Sequence, residues 1–148
     1  MLAVVLKEPI DRISMITPWN FPFSTLSRKL PIALAAGCTG VVKPFELTPS
    51  RTIIPGERLI EAGHPAGVVH IGPAPGLPAG AILANHPGVD MAAFTGSTAL
   101  CRRIAAAAVI PQKKVAFERC GRNGPVIFPD ADLAAARIDP CLICCVPR

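Results

Sequence analysis

Apolar residues fall along this chain in short blocks, separated by longer stretches in which they recur at helical spacing. The blocks Ile13–Ile16, Thr39–Val42, Gly67–Ile71, Met91–Phe94 and Lys114–Phe117 have the length and the flanking turn residues of strands. Between the first two, Leu26, Leu30 and Leu34 mark a helix over Phe23–Ala36 that stops at Gly37, with Pro31 predicting a kink or a late start. Thr48-Pro49 opens a second helix in N-cap and N1 style that runs to Ala62, with a break predicted at Pro55-Gly56. Pro78–Asn85 reads as a third helix, closing at His86-Pro87-Gly88, and Ala99–Ala108 as a fourth. Strands alternating with helices predict the α/β class, an open parallel sheet with helices on both faces. Ligands of such sheets sit beyond the carboxyl ends of the strands, here Thr17–Asn20, Lys43–Glu46, Gly72–Gly76, Gly96-Ser97 and Glu118–Gly121.

Met91–Ala108 carries the most chemistry. A buried strand, a tight Gly96 turn and a helix capped by Ser97 or Thr98 leave free backbone N–H groups at a positive dipole end. That geometry seats a phosphate. An ordinary βα loop reads the same way in isolation. No GxGxxG follows the first strand, which counts against the common dehydrogenase fingerprint.

A length of 148 residues allows one domain, or one domain and a remnant of another. With 51% hydrophobic and 17% charged residues the chain has the means to bury a core, which excludes a disordered segment. The formal charge of +5 comes from scattered pairs (Arg28/Lys29, Arg102/Arg103, Lys113/Lys114) without interleaved aromatics. This is not a nucleic-acid footprint, and an anionic cofactor is the more economical partner. The apolar run Leu30–Val42 is too short and too interrupted to span a bilayer, so no membrane partner is expected. Nothing resembles a secretion signal, so the reading is cytoplasmic with reduced thiols, Cys38 and Cys101 being core residues. The tail cluster Cys141, Cys144 and Cys145, with Cys120, raises a thiol or metal reading. Zinc sites usually show two separated ligand pairs, and only one cluster exists, so no metal ligands are assigned.

Five ordered motifs resemble the aldehyde dehydrogenase superfamily: ITPWNFP (Ile16–Pro22), ALAAGCT with VVKPFELTP (Ala33–Pro49), EAGHPAGVV (Glu61–Val69), HPGVDMAAFTGST (His86–Thr98) and KKVAFE (Lys113–Glu118). The resemblance covers roughly residues 8–136 and implies a Rossmann-like cofactor domain, in a family that lacks GxGxxG. It implies NAD as cofactor, with NADP possible, and an aldehyde as substrate. It further implies that Asn20 stabilises the oxyanion and that Glu118 is the general base. Cofactor contacts implied in the same way are Ile16, Thr17, Pro18, Trp19, Lys43, Glu46, Gly76, Gly80, Gly96 and Ser97. The chain chemistry suits these roles. An amide N–H can stabilise a developing oxyanion, a carboxylate can accept from both ribose hydroxyls, and a carboxyl in a partly apolar cleft gains basicity. By residue type alone, Asn20 would be a turn residue, and Lys43, Glu46 and Glu118 surface groups. His64, His70 and His86 match no role.

The departures lie toward the end. The family's Glu-Leu-Gly-Gly is replaced by Glu118-Arg119-Cys120-Gly121, and Cys resists conformations that Gly adopts freely. PDADLAAA (Pro129–Ala136) resembles the start of a catalytic domain, whereas Arg137–Arg148 resembles nothing in the family, and no Gly-Gln-x-Cys nucleophile segment occurs. The expectation is therefore a cofactor-binding domain over residues 1–125, then 126–148 as the start of a catalytic domain and an unmatched tail. Such a fragment would be inactive alone, and the family's usual homo-oligomer would not form with certainty from it. A non-catalytic nucleotide-binding or interaction module that retains the fold is the alternative.

Overall fold

The computed structural model describes residues 3–6, 8–109, 111–119, 128–130 and 132. Five parallel strands, β1 (Arg12–Ile16), β2 (Thr39–Lys43), β3 (Val69–Ile71), β4 (Met91–Gly96) and β5 (Lys114–Arg119), form one sheet in the order β3-β2-β1-β4-β5. The helices are α1 (Pro22–Ser27), α2 (Leu30–Ala35), α3 (Ser50–Glu61), α4 (Gly76–Asn85) and α5 (Thr98–Val109). The α/β fold and all five strands are as the hydrophobic pattern predicts.

Both faces of the sheet are covered, and the strands show it by alternation. Ile13, Met15, Val42 and Ala93 pack with Leu26, Leu30 and Ala33 of α1 and α2, while Ile16, Ala92 and Phe94 pack with Ala84 of α4 and Cys101 and Ile104 of α5. Successive strand residues point to opposite faces, so one strand serves both layers. Cys38 and Cys101 are buried in these two layers, as their apolar contexts imply.

Of the two expectations about proline, the one at Pro31 holds as an interruption and the one at Pro55 needs correction. The helix expected over Phe23–Ala36 is two helices, parted at Arg28-Lys29 before Pro31, which enters in the first turn of α2. Proline fits a first turn because the N–H it lacks has no helical partner there. The break expected at Pro55-Gly56 does not occur, and α3 runs through both residues. Gly56 has a packing task there: a Cβ on it would stand 2.8 Å from Cδ1 of Ile71 in β3. The bare glycine lets α3 lie close on the edge strand, and that contact offsets the one backbone hydrogen bond Pro55 removes. Gly37 ends α2 at φ +82°, the left-handed C′ position expected for it.

The amino ends of β1 and β4 are pinned by a fork-shaped ion pair. Arg12 donates from Nε to Asp90 Oδ2 at 2.8 Å and from Nη2 to Oδ1 at 3.1 Å, and its backbone N–H donates to Oδ2 at 3.0 Å. These hydrogen bonds hold the Asp90 carboxyl below its ordinary range, the Arg12 guanidinium bond contributing most. Lys113 donates to the carbonyls of Ala84 and His86 at the end of α4 and closes the same side.

Two outcomes follow. Leu26 is fully buried between sheet and helices, so Leu26→Ala is expected to cost about 2–5 kcal/mol in urea denaturation; a loss well under 1 kcal/mol would mean that this layer is not packed as described. A depressed folded-state pKa makes the Asp90 contribution present above the ordinary aspartate value of 3.8 and lost as pH falls through the lower folded value. The stability gap between the wild type and Asp90→Asn should therefore narrow on acidification through that range, and a gap constant with pH would contradict the pairing.

Candidate functional site

The strand order fixes where a ligand can enter. From β1 the chain builds outward through β2 to β3, then crosses back through α4 to β4 on the other side of β1. After β1 and β4, which stay paired as far as Ile16 and Phe94, the chain leaves for opposite faces of the sheet, into α1 and α5; the crevice between such connections is the usual seat for ligands of open parallel sheets. Ile16, Thr17, Pro18, Trp19 and Asn20 lie on one lip, and Gly96 and Ser97 on the other. The Thr17 backbone N–H donates to the Lys43 carbonyl at 3.2 Å, tying the loop after β1 to β2. The Thr17 hydroxyl is buried and has no partner among the described residues, as is also true of Thr48 and Thr52 around the start of α3.

On the β2 side, Lys43 is buried to 4% exposure. Its Nζ donates to the Pro44 carbonyl at 3.0 Å and stands 3.5 Å from Oε2 of Glu46. A buried ammonium without partners would be costly, so the carboxylate is held toward it. Glu46 in turn lies over Gly76 at the first turn of α4, where an added Cβ would be 3.0 Å from Oε2 and 3.2 Å from Oε1. A side chain here would press on the carboxylate and push it aside by a few tenths of an ångström. Gly80 is one turn further along α4, has open space around it, and is not brought to the other residues.

At the start of α5, Ser97 is the cap: its Oγ accepts from the Leu100 N–H at 3.4 Å and its carbonyl from the Cys101 N–H at 3.0 Å. The first N–H groups of α5 have no partner within the helix and face the crevice end of the sheet. Gly96 meets the Phe94 ring, whose Cζ would lie 2.5 Å from an added Cβ, so this turn admits no side chain. Asn20 uses Oδ1 to accept from the Phe21 N–H at 3.1 Å. Its amide nitrogen remains the donor end.

Glu118 is the last side chain described on β5. Oε2 accepts from the Thr95 hydroxyl at 3.1 Å, and Oε1 stands 3.8 Å from Nζ of Lys29. Lys29 is 10% exposed and Glu118 46% exposed, so the cation is the buried partner. Burial lowers the Lys29 ammonium from the ordinary lysine range, and Glu118 opposes that shift. Neither Thr95 nor Lys29 stands out among the motifs. The signal for Lys29 was its place three residues after Leu26 and one before Leu30, a charge inside a helical apolar stripe. Cys120, Gly121, the tail Arg137–Arg148 and its cysteines Cys141, Cys144 and Cys145 lie outside the described residues. Among the described residues no three His, Cys, Asp or Glu side chains lie close enough to hold a metal, and no helix is long and apolar enough to cross a membrane.

The donor set fits a dinucleotide. The crevice offers a carboxylate shaped for a diol, a capped helix start for phosphate, and an orphan buried hydroxyl beside them.

Comparison with known proteins agrees with this geometry. Succinate-semialdehyde dehydrogenase of Arabidopsis thaliana mitochondria is 44% identical over 135 residues, 90% of this chain and 25% of that protein. Betaine aldehyde dehydrogenase 1 of Oryza sativa subsp. japonica is 45% identical, over 90% of this chain and 26% of its own length. The solved NAD-dependent aldehyde dehydrogenase of Sinorhizobium meliloti superposes with a TM-score of 0.80 at 43% identity, covering 87% of this chain and 26% of that one. A solved aldehyde dehydrogenase homologue from Burkholderia cenocepacia gives 0.81 at 48% identity over 88% and 27%. The chain thus spans about a quarter of the length of the relatives it matches. With residues 1–139 matched by the model of the aldehyde dehydrogenase family, the chain belongs to that family.

Proposed function

We propose that these residues form the cofactor side of an NAD-dependent aldehyde dehydrogenase, with residues 1–125 as the cofactor-binding domain and 126–148 as the start of the catalytic domain. The observation that carries this reading is the Glu46 carboxylate, held by Lys43 over the bare Gly76. Two carboxylate oxygens accept from the two hydroxyls of a ribose, and the same charge repels a phosphate on the 2′ oxygen. Lys43 is already committed to Glu46 and Pro44, which leaves less of its charge to offset that repulsion. Ser97 accepts from Leu100 and keeps its own proton to donate to a pyrophosphate oxygen, beside the free N–H groups of α5. Ile16 to Trp19 line the lip on which the nicotinamide half would lie. NAD supplies the hydride acceptor.

Asn20 donates from its amide nitrogen to the oxygen that gains charge when an aldehyde is attacked, a contribution of several kcal/mol in such sites. Glu118 takes the proton from the water that releases the acid. A cytoplasmic setting suits the buried Cys38 and Cys101 thiols. The 148 residues hold no Gly-Gln-x-Cys segment.

Calorimetric titration of the chain should give tighter binding of NAD than of NADP. Glu46→Gln should weaken NAD about tenfold or more, the size of a lost hydrogen bond to a charged group, and should narrow the gap to NADP. Equal or tighter NADP binding by the wild type would contradict the ribose assignment. In an NADH-formation assay with short, aromatic and semialdehyde substrates, the 148-residue chain is expected to show no turnover, because a nucleophile misplaced by even about 1 Å loses roughly a hundredfold. Turnover abolished by changing Cys141, Cys144 and Cys145 together to Ser would overturn this and make one of those thiols the nucleophile.

A further inference from the structure

Glu118 is held from two sides by groups the family motifs do not single out. Thr95 and Glu118 are direct register partners across β4 and β5, so their side chains rise from the same face of the sheet. The Thr95 hydroxyl donates to Oε2 at 3.1 Å, and the Lys29 ammonium, from the turn between α1 and α2, approaches Oε1 to 3.8 Å. Each carboxylate oxygen therefore answers to a different element. Rotation of the carboxylate breaks one contact or the other.

We propose that Thr95 is a positioning residue that clamps the Glu118 carboxylate against Lys29 and sets how far it is available to take a proton from water. The proposal rests on reading Glu118 as the base. A hydrogen bond or a nearby cation favours the charged form of a carboxylate and makes it a poorer proton acceptor, so opening the Thr95 bond is the step that arms it. The hydroxyl is well suited to this, because its hydrogen bond to the carboxylate can be exchanged for one to water. Lys29 cannot follow the carboxylate outward, since its side chain is almost fully covered.

Lys29 is also the reporter. Burial and Arg28 lower its pKa, whereas Glu118 and Cys101 raise it. Any loosening of Glu118 lets the Lys29 pKa fall further. The test follows the Lys29 side-chain nitrogen by NMR across pH in the full 148-residue chain labelled with 15N-lysine. Glu118→Gln should lower the Lys29 titration. Thr95→Val, which keeps the β-branched shape a strand favours, should lower it in the same direction by several tenths of a pH unit. Thr95→Ser should restore the wild-type value, and Thr95→Val in the Glu118→Gln background should add nothing. Should Thr95→Val not fold by circular dichroism, Thr95→Ala carries the same comparison. A Lys29 titration unmoved by Thr95→Val but lowered by Glu118→Gln would overturn the clamp. So would an equal lowering by Thr95→Val when Glu118 is already Gln. Because the titration reads geometry and not turnover, it stands or falls separately from the role of Glu118 as base.

Discussion

The central strand β1 is the constraint on which the rest depends. It is hydrogen-bonded on both edges, to β2 and to β4, and feeds side chains into both helical layers. Its register is therefore set twice over: a slip of one residue would send Ile13 and Met15 to the wrong layer and part Arg12 from Asp90. Because β1 is also where the chain reverses direction across the sheet, the connections leaving it and β4 part to opposite faces at its carboxyl end. The site is a by-product of how the core is wound.

Around that end the charges are distributed by burial. In both polar pairs the lysine is the covered member and the carboxylate the half-exposed one: Lys43 with Glu46, and Lys29 with Glu118. A long apolar stem lets lysine thread through the layer and deliver its charge under the surface. The carboxylates then face the crevice with their charge balanced from beneath. One pair stands at the first turn of α4, the other at the end of β5. The crevice is polar where chemistry requires it and backed by Phe94 and Ile16 elsewhere.

Much of this was legible in the chain itself. The five strands follow from short apolar blocks, and Gly37 and Ser97 ended and began helices where their residue types said they would. Pro55 was not legible, because its effect depends on a position in a helix that tertiary packing decides. Gly56 looks like a breaker in sequence and is a contact surface in space, since its meaning depends on Ile71 in a distant strand. The site divided in the same way. Glu46, Asn20 and Glu118 stand in the family motifs, and Lys29 shows as a charge inside an apolar stripe, whereas the pairing of Thr95 with Glu118 comes from a cross-strand register that no local pattern records.

The pairing of Arg12 with Asp90, residues 78 positions apart, has a consequence for how the molecule comes into being. As the polypeptide leaves the ribosome, β1, β2 and β3 can associate while β4 is still being made, with β1 showing one bare edge. Only when Asp90 and the strand after it emerge can that edge close and the crevice acquire its second lip. Until then the unpaired edge of β1 is a point of exposure to misassembly.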